Sequence, residues 1–369
     1  MNEIIAFVKA NCSDKNKIRS VGFFPLLLTA TFLCVPSSGD QFTSVSRADR
    51  FLSLFSIIRF KNAMCSGPSG LSGTCYTYKS CVKNGGRATS SCANGYGTCC
   101  VTRLSCGGRT TNNCTYIESP NYPDFFNEAR TCVQTISLNS DACQVRLDVT
   151  EVNLVGPDSK GNCNNDVLKF SQDIKWTQVC GITRNTHFYL DVDPTVSGTL
   201  DFTFTTDGTS FNRRWRIKVS QICCTKLSMA PMGCGQYFTS TTGSITGWNS
   251  QGNPDFYLSG QNYAICLRQE LNTCSTTYLE TTPSGNSFYP VCGDTLEWPG
   301  VHQANTVTQK DETCKPGGAF AFFSPVEPYT IQQQGPHYFY FVTKDTSNEH
   351  TRIGTSADNI NIQYTQNSC

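Results

Sequence analysis

Twenty-two cysteines in 369 residues constrain this chain more than any other feature of its sequence. Cytosolic thiols are kept reduced by glutathione, so such a density points to an oxidising compartment or to metal binding. Only four His are present and no tight Cys-x-x-Cys pairs recur, which argues against a zinc-finger array. Disulfide staples are the better reading. The 29 Lys+Arg balance 28 Asp+Glu at a net charge of +1, so the basic footprint of a nucleic-acid binder is missing. Length alone suggests two or three domains.

Lys15, Lys17 and Arg19 precede a charge-free stretch from Val21 to Val35. That run is shorter than the ~20 residues a membrane span needs, and Pro25 would kink it. With small residues at Ser37 and Gly39, residues 1–39 read as a signal peptide cleaved before Asp40. No other segment approaches membrane-spanning length. Its removal takes Cys12 and Cys34 and leaves 20 Cys, the even number that complete pairing requires. In residues 40–64, Phe51, Leu54, Phe55 and Ile58 recur at helical intervals, so an amphipathic leader or propeptide helix is expected toward Phe60.

Residues 65–105 form the next unit. Its cysteines are Cys65, Cys75, Cys81, Cys92, Cys99 and Cys100, and its many glycines leave little side-chain mass for a core. Six Cys allow 15 connectivities. The segment Gly73-Thr-Cys-Tyr-Thr and the run from Ser91 to the adjacent Cys99-Cys100 resemble the clip modules of arthropod immune proteases. The resemblance implies the bridges Cys65–Cys99, Cys75–Cys92 and Cys81–Cys100.

Beyond Cys106, apolar and polar residues alternate at Val145, Leu147 and Val149, at Leu200, Phe202 and Phe204, and at Trp215, Ile217 and Val219. Such period-two runs between Gly, Pro, Asn and Asp are antiparallel strands with one wet face. Cys106-Gly107-Gly108, Ile117 through Pro123, Cys163-Asn-Asn-Asp166, Cys180-Gly181 and Phe204-Thr-Thr-Asp207 ahead of Trp215 together resemble a CUB domain over 106–224. The family implies a jelly-roll sandwich with bridges Cys163–Cys180 and Cys106–Cys132, leaving Cys114 and Cys143 as an extra pair. A fainter echo fills 225–369: Asn253 through Tyr257 repeats Asn121 through Phe126, and Cys292–Cys314 takes the place of the later bridge. The expected fold is mainly β, with tandem antiparallel CUB-type sandwiches plus a small disulfide-rich module. The join through Cys223-Cys224 is too short and cysteine-pinned for a floppy tether. The layout is similar to a group of secreted arthropod CUB-domain proteins.

Catalytic motifs are missing. The sequence has no Gly-Asp-Ser-Gly-Gly run, no Gly-x-Ser-x-Gly elbow and no His-Glu-x-x-His. Calcium-binding CUB domains hold the ion with a Glu and two Asp, and the resemblance places the two Asp at Asp166 and Asp207. Val155 stands near the Glu position, which weakens such a site. Asp158 or Glu118 could replace the missing carboxylate; otherwise Asp166 and Asp207 cap turns or accept backbone N–H groups. Asn113-Cys-Thr115 is the one ordinary glycosylation acceptor of the mature chain. Trp248, Phe256 and Tyr257 lie among Gly, Asn and Ser, and read either as exposed anchors for a partner or as core. These observations together suggest a secreted, non-catalytic adaptor that binds an extracellular protein through its loops. The alternatives are a carbohydrate- or matrix-binding protein and a non-catalytic regulator of a clip-type protease cascade.

Overall fold

The computed structural model describes residues 58–280, apart from 69, 173–174, 226–228 and 254–255, and then 295–297, 307–308, 328–332, 336–343 and 359–369. The expected signal peptide over 1–39, most of the 40–64 segment and the expected Cys292–Cys314 pair lie outside the described residues. Residues 58–60, where the expected helix would end, have no regular secondary structure.

The cysteine-rich unit is built from β1 (Met64–Ser66), β2 (Ser72–Tyr76), helix α1 (Tyr78–Lys83), β3 (Arg87–Cys92) and β4 (Gly97–Leu104). Thr77 caps α1, its hydroxyl accepting from the Ser80 N–H at 3.2 Å. Cys65–Cys99, Cys75–Cys92 and Cys81–Cys100 are joined in the structure. The chain passes so close to the last of these that a Cβ on Gly86 would lie 2.3 Å from the Cys100 sulfur. This unit does not stop at its own boundary. β4 continues into the next sheet by pairing in parallel with β6 (Thr115–Glu118), Thr102 against Thr115 and Leu104 against Ile117. The Asn112 amide donates to Asn84 O and Thr102 Oγ1, both at 3.0 Å, closing the seam.

The first sandwich adds β5 (Arg109–Thr110), β7 (Ala129–Ser137), β8 (Ala142–Asn153), β9 (Val167–Phe170), β10 (Ile182–Asp191), β11 (Thr199–Asp207) and β12 (Arg214–Cys223). One sheet runs β1-β2-β4-β6-β12-β8-β10, with β3 beside β4; the facing sheet runs β5-β7-β11-β9. The alternation read from the sequence sends Leu147, Val149, Phe202, Phe204, Trp215 and Ile217 inward, all buried. Phe204 and Trp215 stack with ring centroids 3.9 Å apart. Cys106–Cys132 and Cys163–Cys180 are both bonded. The extra pair Cys114–Cys143 is not formed: Cys143 joins Cys224, 81 residues away, and Cys114 is a buried free thiol. Strand order gives the reason. β12 lies between β6 and β8, so the two cysteines sit on opposite flanks of it.

The second sandwich comprises β13 (Cys234–Phe238), β14 (Thr242–Thr246), β15 (Asn262–Leu267), β16 (Thr273–Glu280), β17 (Thr295–Glu297), β18 (Val307–Thr308), β19 (Tyr329–Ile331), β20 (His337–Val342) and β21 (Asn361–Ser368). Its sheets run β13-β15-β20-β17-β18 and β14-β21-β16-β19, pinned by Cys234–Cys266 and Cys274–Cys369. The two sandwiches share one apolar core. Trp248 stacks on Phe188 of the first domain at 3.9 Å, and Trp176 meets Tyr263 at 5.3 Å. Trp248 and Tyr257 are therefore core and not exposed anchors, each fully buried. The Asn249 side chain ties the same seam, its Oδ1 accepting from the Ile182 N–H at 3.0 Å. Among the described residues, no helix is long and apolar enough to cross a membrane.

Candidate functional site: the loop edge of the first domain

The ends of β8 and β11 and the starts of β9, β10 and β12 gather the 154–166 and 208–213 loops at one end of the first sandwich. Asp166 and Asp207 converge there, as the sequence suggested. What lies between them is Arg213. Its Nε donates to Asp166 Oδ2 at 2.7 Å and its Nη2 to Asp207 Oδ1 at 2.6 Å. The guanidinium also donates to Thr209 O at 2.6 Å and to Thr209 Oγ1 at 2.9 Å. Asp166 and Arg213 are both completely buried.

Both carboxylates accept further hydrogen bonds. Asp166 accepts from the Val155 N–H at 2.8 Å and the Asp207 N–H at 3.2 Å; Asp207 accepts from Asn165 Nδ2 at 2.8 Å. The Thr209 N–H, ahead of the Thr209 hydroxyl, the Asn165 amide and the Arg213 charge, holds the Asp207 carboxyl below the usual carboxylate range. Gly208 makes the turn at φ +80°, where a Cβ would lie 2.8 Å from Ala129 N. A buried cation with five donors in a fixed fork satisfies two carboxylates without a metal.

These residues do not fit calcium. The ion needs six to eight oxygens, and the carboxylates that would supply them already bind a cation. Val155 brings a backbone N–H, a donor, to the place where a further carboxylate was wanted. Asp158 is turned to its own loop, accepting from the Lys160 and Asn162 N–H groups at 2.8 and 2.9 Å. Glu118 pairs with Arg216 at 2.8 Å. Among the described residues, no three His, Cys, Asp or Glu side chains come together as a metal site. The sequence analysis did not single out Arg213, which stands beside Arg214.

Beside this edge lies an ordered row on the outer sheet face. Arg214 sits 4.2 Å over the Phe125 ring and binds Glu151 at 2.7 Å, while Arg216 sits 4.1 Å over Tyr122. Phe256 is half-buried and packs against the shared core. The Asn113 amide, a proposed glycan acceptor, donates to Gln221 O at 3.1 Å and accepts from Gln221 N at 2.8 Å. It acts as a strut between β6 and β12.

At the domain seam, His187 of β10 donates from Nε2 to Tyr237 O of β13 at 2.8 Å, as the neutral tautomer. Burial, ahead of the nearby Arg146 charge, pushes its imidazole down to about 4 from 6.5. The unfolded chain therefore takes up this proton before the folded one does. Its contribution is complete above pH 6.5 and is lost as pH falls to about 4. The loss is roughly 2–3 kcal/mol after allowance for partial exposure. Melting curves of the wild type and His187→Gln between pH 7 and pH 4.5 check this; the variant is expected to lose less stability across the interval, and parallel slopes would contradict it.

The fold defines a class: disulfide-pinned antiparallel β-sandwich modules. The CUB domain model matches residues 106–219 and the Animal CUB domain model matches residues 231–367. The chain carries two CUB domains. Among solved structures, the CUB1-EGF-CUB2 domains of rat MASP-1 are 15% identical, covering 72% of this chain and 99% of that one at a TM-score of 0.24. The corresponding human MASP-1/3 fragment is 16% identical, covering 69% and 99% at a TM-score of 0.24. The full extracellular region of zebrafish Gpr126/Adgrg6 is 12% identical, covering 73% of this chain and 37% of that one at 0.26. Superpositions this loose carry no argument about domain arrangement or ligands. No curated protein matches the chain.

Proposed function

We propose that this chain is a secreted, non-catalytic recognition protein whose first CUB domain binds an extracellular protein partner at the loop edge described above. CUB domains commonly mediate protein–protein interaction in extracellular proteins, and the disulfides suit that compartment. The observation that carries the reading is the Arg213 network. It holds two loops in one arrangement through buried, charge-assisted hydrogen bonds, so the edge is preorganised and little ordering entropy remains to be lost on binding. Fusion to the second domain through a common core stiffens the support beneath it. On this reading the edge needs no metal.

The test is affinity capture from extracellular fluid, using the chain from Asp40 onward as bait beside a reduced and alkylated control. A defined protein retained by the folded bait alone, and lost when the 208–213 loop is replaced by a Gly/Ser linker, is the expected result. Retention that is indifferent to folding or to that loop would overturn the reading. A defined response on a glycan panel without any captured protein would shift the assignment to carbohydrate.

A further inference from the structure

A shallow depression of about 440 Å³ beside the Arg213 network is lined by Asn153, Ile182, Arg184, Ser210, Phe211 and Asn212. Arg184 is exposed, and its guanidinium enters no hydrogen bond or ion pair among the described residues. Its cross-strand neighbour on β8 is Glu151, which would ordinarily take it as a partner. Glu151 is unavailable for that: Oε1 accepts from the Tyr122 hydroxyl at 2.8 Å and Oε2 binds Arg214 at 2.7 Å. Asp166 and Asp207 are held by Arg213. Glu151, Asp166 and Asp207 are thus each paired with an arginine, while the Arg184 guanidinium has no such partner among the described residues.

A second observation bears on the ligand: the walls of the depression beside Arg184 include the apolar Ile182 and Phe211.

We infer that this depression receives an Asp or Glu side chain of the protein partner, its carboxylate on Arg184 and its methylene carbons on Ile182 and Phe211. The inference rests on the protein-binding reading above and adds the chemistry of the partner. An acidic side chain supplies the anion and the apolar stem within one residue, which a bare inorganic anion does not.

Calorimetric titration of the full secreted chain at low ionic strength tests it. The probes are acetyl-Gly-Glu-Gly-Glu-Gly-amide, the Lys counterpart of that peptide, and a hyaluronan oligosaccharide. The acidic peptide is expected to bind the wild type and to lose roughly tenfold in affinity with Arg184→Ala, the scale of one charge-assisted hydrogen bond. The Lys peptide is expected to bind only Arg184→Glu. Arg184 lies on the surface, so both variants keep the fold, and matching melting curves verify that. Equal affinity in wild type and Arg184→Ala, or no binding of the acidic peptide, would overturn the inference. So would Arg184-dependent binding of the oligosaccharide alone. Running the capture with Arg184→Ala separates the two levels: an undiminished yield refutes this depression as the site while sparing protein binding, and an empty wild-type capture refutes protein binding itself.

Discussion

Arg213→Ala is expected to lower the stability of the chain by about 3–5 kcal/mol, because removing one member of a buried ion pair strands the other. Asp166 is completely buried and would keep only the Val155 and Asp207 N–H donors. For a body of this size the melting temperature should fall by about 10 °C. Arg213→Lys should fall between wild type and Ala, since an ammonium retains the charge but cannot span Asp166, Asp207 and Thr209 at once. Thermal or denaturant unfolding of the three proteins decides it. A loss under 1 kcal/mol for Arg213→Ala would mean that the network is incidental to the loop edge.

A comparable loss, about 3–5 kcal/mol, is expected for Trp248→Ala, the range for large aromatic side chains removed from a core. Here the effect has a second part. Trp248 belongs to the second domain but stacks on Phe188 and touches Trp176 of the first, at 3.9 and 6.3 Å. Its removal opens a cavity in the layer that joins the two sandwiches, so a single unfolding transition should separate into two. Limited proteolysis reads this independently, through faster cleavage between Cys224 and Cys234. A single transition at nearly unchanged temperature would contradict the common core.

Much of this architecture was legible from local pattern. Strands announce themselves through period-two alternation, and the runs around Leu147, Phe202 and Trp215 fill the core they were expected to fill. The CUB resemblance rested on short motifs at loop ends, and both domain models match where those motifs lie. What stayed hidden depends on contacts distant in sequence. Arg213 reaches Asp166 across 47 positions, and nothing in an Arg-Arg pair says that one points inward and its neighbour over Phe125. Trp248 and Tyr257 sit among loop-forming residues because the chain turns there, yet Trp248 is covered by the facing domain and Tyr257 packs on Phe341 of its own. Cys143 finds Cys224 because β8 and β12 are hydrogen-bonded neighbours, a fact of strand order that spacing does not encode.

Arg213 and Arg184 together give the edge its character. One cation is buried and closes the network; the other is exposed and faces the depression. An edge built this way carries its order in side chains and backbone amides. Its binding strength should therefore respond to salt, which screens the exposed charge, more than to divalent cations.

The most direct measurement is the affinity of the chain for its captured partner in millimolar calcium and in EDTA, at matched ionic strength. Equal dissociation constants, with equal melting temperatures of the free chain in both buffers, are the result expected of an edge held by Arg213. Binding that is abolished in EDTA and restored by calcium would show that the ion, and not the guanidinium, orders this edge.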